Sequence, residues 1–231
     1  MSEGHWIVNT VIAGHPIDFN MDTLVTMWAA MAFLLIVSFI ATRNLSILPS
    51  KLQYIFEVVL GYFKNLTDSM IGRDGKKHFP LIASLFLFIV TANLMGQLPF
   101  KALELKTGEL ASPTNDINLT AGLAVIVLIY YVTAGLIKKK GKFFLHEFSF
   151  VGIISMLVEL LEMVTRPLTL ALRLFGNILA GEILIGALLA LIACGLPLPI
   201  MFFEVLVACV QALVFTMLTT VYIATAVGDS H

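Results

Sequence analysis

The chain has 231 residues, 59% of them hydrophobic and only 13% charged, with a formal net charge of −1. Soluble domains carry about 25% charged residues, so a soluble globular fold is excluded, and the near-neutral balance excludes a basic nucleic-acid surface. What remains is an all-α polytopic membrane protein with short loops, a single membrane domain over residues 1–231.

Residues 1–22 hold no Lys or Arg but carry Glu3, Asp18 and Asp22. The positive-inside rule therefore puts this end outside the cytoplasm. It lacks a basic n-region and a cleavage signal, so no removable targeting peptide is expected. Asp22 is placed to cap the helix that follows. Residues 23–42 are a first span, long enough for the hydrocarbon core, with Trp28 near its outer end. Residues 43–79 hold Arg43, Lys51, Lys64, Arg73, Lys76 and Lys77 and so face the cytoplasm. Within them lies a helix over 51–71, where Leu52, Ile55, Phe56, Val59, Tyr62, Phe63 and Leu66 recur three and four apart. This amphipathic face suits the cytoplasmic interface, with packing on another subunit as the competing arrangement.

Residues 80–98 form the second span, with Asn93 and Gln97 on one face. Asn93 is expected to bond between helices rather than to conduct. An outer loop over 99–117 ends in Pro113 and Asn115-Asp116, a turn and a cap for the next helix. The third span, 118–137, is followed by Lys138, Lys139, Lys140 and Lys142, the strongest cytoplasmic anchor in the chain.

Beyond residue 143 the pattern changes. No polar turn interrupts the chain until Cys194-Gly195. A helix over 151–193 would run about 65 Å at about 1.5 Å per residue, against a hydrocarbon core of about 30 Å. It must tilt, lie near the membrane plane, or bend, and Pro167 is where a bend is expected. Gly195 to Pro199 makes the turn. The expected C-terminal architecture is a strongly tilted helical hairpin of 150–194 and 199–227. Cys194 and Cys209 lack metal spacing and a nearby His, and are expected to be inert buried thiols.

This hairpin holds the charges that need an explanation. Arginine keeps its proton, and at membrane depth it costs about 2.5–3.5 kcal/mol on insertion scales. Glu159, Arg166 and Arg173 are seven apart and form one stripe, and Glu162 precedes Arg166 by four, the favourable order for a pair. A structural ion pair of Arg166 with Glu162 or Glu159 is expected. Arg173 has no acid three or four residues away; its neighbours on that face are Thr169, Gly176, Asn177 and Ala180. Small residues there let another helix approach closely. Its partner is expected from elsewhere, with Glu204 of the last helix as the alternative. Glu182 lies about 180° round the helix from Arg173 and is expected to face the next helix. There Glu204 and Gln211 are seven apart on one face. Glu182, Glu204 and Gln211 together can line a polar path, with Glu204 as an interfacial carboxylate the alternative.

The run LRLFGNILAGE at 172–182 resembles subunit a of the F-type rotary ATP synthase, as do NLMGQLPF at 93–100, SPTNDINLTAGLA at 112–124, RPLTLALRLFGN at 166–177 and QALVFTMLTTVYIATA at 211–226. The resemblance implies that Arg173 is the family's stator arginine, facing a rotor ring of c subunits that each carry an ion-binding carboxylate. It implies that Glu182, Glu204, Gln211 and Glu159 stand at ion-access positions, with Asn177 beside the arginine. Many family members pair an acid with a His at the positions of Glu182 and Glu204; here both are Glu, a departure that leaves no imidazole at that point. The partners implied are the c ring, peripheral-stalk b subunits, the rest of the complex and the lipid bilayer. The family's setting is an energy-coupling membrane, here expected to be a bacterial plasma membrane, with the C-terminus cytoplasmic.

No cofactor is expected, and the chain is not expected to catalyse a reaction by itself. It has no GxxxxGK[ST] loop, no HExxH (His146-Glu147 is followed by Phe148) and no GxSxG. A self-contained secondary transporter with an Arg–Glu gate is the alternative function. It would show an internal repeat, yet the first three spans carry no counterpart of Arg173.

Overall fold

The computed structural model describes residues 7–12, 15–43, 45–97, 113–139, 150–191 and 197–228. Among these residues two short strands, β1 (Ile7–Ile12) and β2 (His15–Asn20), precede six α-helices: α1 (Met21–Arg43), α2 (Lys51–Ile71), α3 (Gly75–Gln97), α4 (Ile117–Lys139), α5 (Phe150–Leu191) and α6 (Pro197–Val227). Among the described residues the helices long and apolar enough to cross a membrane number five, with α2 and α3 counted as one continuous stretch. The protein is an all-α polytopic membrane protein, with one small hairpin at its N-terminal end.

That hairpin is an addition to the sequence reading. β1 and β2 pair antiparallel, Ile7 opposite Asn20 and Ile12 opposite His15. The signal was the β-branched run Ile7, Val8, Thr10, Val11 and Ile12. Asp22 is a correction: it sits within the first turn of α1, not ahead of it. An acid there still faces the helix's partly positive N-terminus.

The sharpest cap belongs to α4. After a 3-10 turn at Pro113–Asn115, one carboxylate oxygen of Asp116 accepts from the Asn118 amide at 2.9 Å. The other accepts from Asn20 Nδ2 and Thr23 Oγ1, each at 3.0 Å. One acid thus caps α4 and ties it to the start of α1. Burial works against its charge, yet these bonds, led by that from Asn20, hold its pKa below the ordinary carboxylate value.

The face of α2 is split. Phe63 is buried, with Val59 and Leu66 packed beside it, against a core that α3 and α6 share. Leu52, Ile55 and Tyr62 stay exposed. The helix therefore packs on its own chain with one part of its apolar surface and leaves the rest for lipid or a partner. Its ends are well defined: Ser50 Oγ accepts from the Gln53 amide at 3.4 Å. Gly72 leaves the helix at φ 73°, a conformation glycine adopts without strain. At this corner Asp74 accepts from Lys138 at 2.5 Å and Lys77 at 3.0 Å, joining the start of α3 to the end of α4. The hydrogen bond from Lys138, then that from Lys77, brings its pKa down to about 2.

α3 begins at Gly75 and carries Pro80 inside the helix, earlier than the expected span. Pro80 forfeits one backbone bond, to the Lys76 carbonyl near the helix start. α3 packs against α1, α2 and α6, and α4 against α5 and α6. Lipid offers no hydrophobic gain for helix association, so close packing must supply it. The buried set fits that demand: Ala92, Ala124, Ala208 and Ala212 are all essentially inaccessible, alongside Phe215 and Ile89. Thr216, Thr219 and Thr220 are fully buried on α6. Each hydroxyl donates to the carbonyl four residues back, at 2.8, 2.9 and 2.9 Å, so no hydroxyl is left dry and unbonded.

Candidate functional site

α5 and α6 carry the intramembrane charges. α5 runs 42 residues through Pro167 as one helix, about 63 Å at about 1.5 Å per residue. Its buried stripe is Leu170, Leu174 and Ile178, with Ala171 beside it, at the spacing that faces a helix toward a core.

Arg166 is fully engaged within the chain. Its guanidinium pairs with the Glu162 carboxylate one turn back. It also donates to Thr225 Oγ1 at 3.5 Å and lies 5.0 Å from the ring centre of Tyr222 and 6.0 Å from that of Tyr131. α4, α5 and α6 therefore all meet at this side chain. Both rings were legible as residues, but nothing local linked positions 131 and 222 to 166.

Arg173, two turns further along, differs in every respect. It is exposed, as are Thr169 and Ala180 on its face, while Gly176 and Asn177 are half-buried. Among the described residues no carboxylate forms an ion pair with it. The alternative partner, Glu204, is 8% exposed on α6, and among the described residues it forms no ion pair with Arg173. A methyl group added at Gly176 would meet nothing within 4 Å, so the surface beside Arg173 is open as well as slim.

Glu204 meets α5 at a glycine that sequence reasoning passed over. A Cβ on Gly181 would lie 2.5 Å from Glu204 Oε1 and 2.8 Å from its Cδ. Only glycine lets the carboxylate lie against the α5 backbone at this point. Along α5, Arg173 falls between the Arg166 clamp and this Gly181 contact; along α6, Gln211 falls between the same two points. Gln211 is 8% exposed, and its Nε2 has no hydrogen-bond partner among the described residues. Asn93 of α3 is fully buried and donates to the Ala208 carbonyl of α6 at 3.2 Å, an interhelix bond that leaves its Oδ1 without a partner among the described residues. Asn93 thus ties α3 to α6 at Ala208, three residues before Gln211, while Glu204 lies against α5 at Gly181. The side chains of Glu159 and Glu182 lie outside the described residues, as does Cys194. Cys209 is a half-buried free thiol. Among the described residues no cluster of three His, Cys, Asp or Glu could hold a metal ion.

Fold and site define a multi-pass helical membrane protein that holds fixed charges and buried amides within its membrane-spanning hairpin. A family model of the ATP synthase A chain matches residues 24–224. ATP synthase subunit a of Gloeobacter violaceus (strain ATCC 29082 / PCC 7421) is 41% identical over 215 residues, covering 93% of this chain and 87% of that protein. The chain belongs to the ATP synthase A chain family.

Proposed function

We propose that this chain is the ion-translocating stator subunit of an F-type ATP synthase, coupling H⁺ or Na⁺ flow to rotation of a c ring. The observation that carries the reading is Arg173: an exposed cation on an open face, with no carboxylate paired to it among the described residues. Desolvating such a charge is costly unless a carboxylate arrives to meet it. A ring of passing carboxylates meets that need repeatedly.

The chemistry follows from the fixed cation. A ring carboxylate reaching Arg173 releases its ion, because a nearby positive charge favours the ionised form. The same charge repels an ion moving straight through. Two aqueous half-channels offset on either side of Arg173 then oblige each ion to ride the ring. One elementary charge crossing gains about 2.3 kcal/mol per 100 mV. Glu182, Glu204 and Gln211 line one access path, Glu159 contributes to another, and Asn177 stands beside the arginine. Nucleotide chemistry takes place on other subunits, and peripheral-stalk b subunits hold this chain against the turning ring.

The length of α5, about twice the hydrocarbon thickness of about 30 Å, supports a steeply tilted hairpin lying along the ring. The basic residues after α1 and α4 put those ends in the cytoplasm. That leaves the N-terminus outside and the C-terminus inside a bacterial plasma membrane.

Arg173→Ala in the assembled complex tests the reading. Coupled ATP synthesis should vanish while assembly stays largely intact; near-wild-type synthesis would overturn the assignment. ATP-driven pumping by the parent complex, with and without Na⁺ and a protonophore, identifies the ion.

A further inference from the structure

The structure assigns to Arg166 the role of a positioning residue for Arg173, exerted through a clamp of Tyr222, Tyr131, Thr225 and Glu162; this rests on the reading of Arg173 as the ring-facing cation.

Three observations carry it. First, Arg166 immediately precedes Pro167. The proline removes a backbone bond to the Met163 carbonyl, so α5 is weakest where it must still act as one rigid rod. Second, the Arg166 side chain braces α5 against α4 and α6 beside that weak point. It pairs with Glu162 on the near side, donates to Thr225 on α6 at 3.5 Å, and lies over Tyr222 at 5.0 Å and near Tyr131 of α4 at 6.0 Å. The two rings are 6.2 Å apart and inclined at 54°, so one planar cation can engage both. Guanidinium stacks on aromatic faces in this way, and an ammonium does so less well. Third, Arg173 stands midway between this clamp and the Gly181–Glu204 contact. Two polar contacts thus flank Arg173 on α5, while Leu170, Leu174 and Ile178 pack the opposite face between them.

The lever is short but sufficient. Six residues separate Pro167 from Arg173, about 9 Å along the helix. A change of about 10° at the proline would move Arg173 by about 1.5 Å, and displacements of about 1 Å at a reacting group can cost about a hundred-fold. A loosened clamp therefore misplaces the arginine without unfolding the bundle, whose core lies on the other face of α5.

The test uses the intact complex in sealed vesicles. Four variants are compared: Arg166→Met, Arg166→Lys, Tyr222→Leu and Tyr222→Phe. Two quantities are read per assembled complex: ATP synthesis, and passive ion leak without nucleotide. Arg166→Met and Tyr222→Leu should lower synthesis about ten-fold and raise leak by a similar factor. Tyr222→Phe keeps the ring and should stay near the parent. Arg166→Lys keeps the charge but not the plane, and should fall between. A purely structural Arg166 would reduce the amount of complex and leave both per-complex values within about two-fold of the parent; that result overturns the inference. If Arg166→Met fails to assemble, the Tyr222→Leu and Tyr222→Phe pair decides alone. Arg173→Ala is run alongside: if it retains synthesis, the reading of Arg173 has failed and not the clamp.

Discussion

Arg166 and Arg173 stand two turns apart on one helix, and their surroundings are opposite. Arg166 has a carboxylate, a hydroxyl and two aromatic rings from three helices around it. Arg173 has an exposed threonine, an exposed alanine and a glycine with open space beyond it. The same residue type at the same heptad position is thus satisfied inside the chain in one case and left facing outward in the other. An uncompensated guanidinium at membrane depth is expensive. In the proposed function, what distinguishes the two is where the compensation comes from: Arg166 finds it in the fold, and Arg173 would find it in an assembly.

The contrast can be broken at several strengths. Arg173→Ala should have the largest effect, a loss of at least about a hundred-fold in coupled synthesis measured in vesicles, with the amount of assembled complex unchanged on a native gel. Gly176→Leu comes next. Its Cβ would meet nothing within 4 Å in this chain, so thermal stability of the isolated subunit should change little. A helix that must approach that face would be obstructed, and synthesis should fall about ten-fold; unchanged synthesis would mean that nothing docks there.

Gly181→Ala is the matched probe on the inner side. Its methyl group would press on the Glu204 carboxylate, which can swing away, so the fold should persist while ion flux slows several-fold. Glu204→Gln should slow flux to a similar degree without abolishing it; unaltered pumping would remove Glu204 from the pathway.

The smallest effects belong to the acids outside the membrane. Asp116 and Asp74 have pKa values held below the ordinary 3.8, Asp74 at about 2. Their contribution to stability is therefore complete above the unfolded value and lost as pH falls through the folded one. Thermal unfolding of the purified subunit should weaken between about pH 4 and about pH 2, and less so in Asp116→Asn. Loss of the cap in Asp116→Ala should cost about 1 kcal/mol at neutral pH. Asp74 is surface-exposed, and its ion pairs should matter less as salt is raised.

Much of the architecture was readable because bilayer solvation imposes long apolar runs and basic cytoplasmic ends. The helical class, the over-long C-terminal segment and the family signature at 172–182 all rest on such local features. The spacing of Glu162 and Arg166 is local too, and the structure brings those two together. What was not legible depends on contacts between distant segments. Helical phase put Glu204 on some face of α6 but could not say that Gly181 would be its neighbour. It could not gather Tyr131 and Tyr222 around Arg166, nor divide the apolar face of α2 between core and surroundings. The N-terminal hairpin is weakly signalled: β1 is β-branched, but its partner strand carries Pro16 and Asp18, residue types depleted in strands.

The central claim is that the missing partner of Arg173 is carried by a different, moving subunit. A photo-activatable probe attached at Thr169→Cys or Ala180→Cys, in a background without Cys194 and Cys209, reports directly on what faces that stretch in the assembled complex. The account predicts adducts to the ring subunit, on the helix bearing its ion-binding carboxylate, and loss of ATP-driven pumping once a single adduct has formed. Adducts confined to lipid or to α6 of the same chain, with pumping intact, would contradict it.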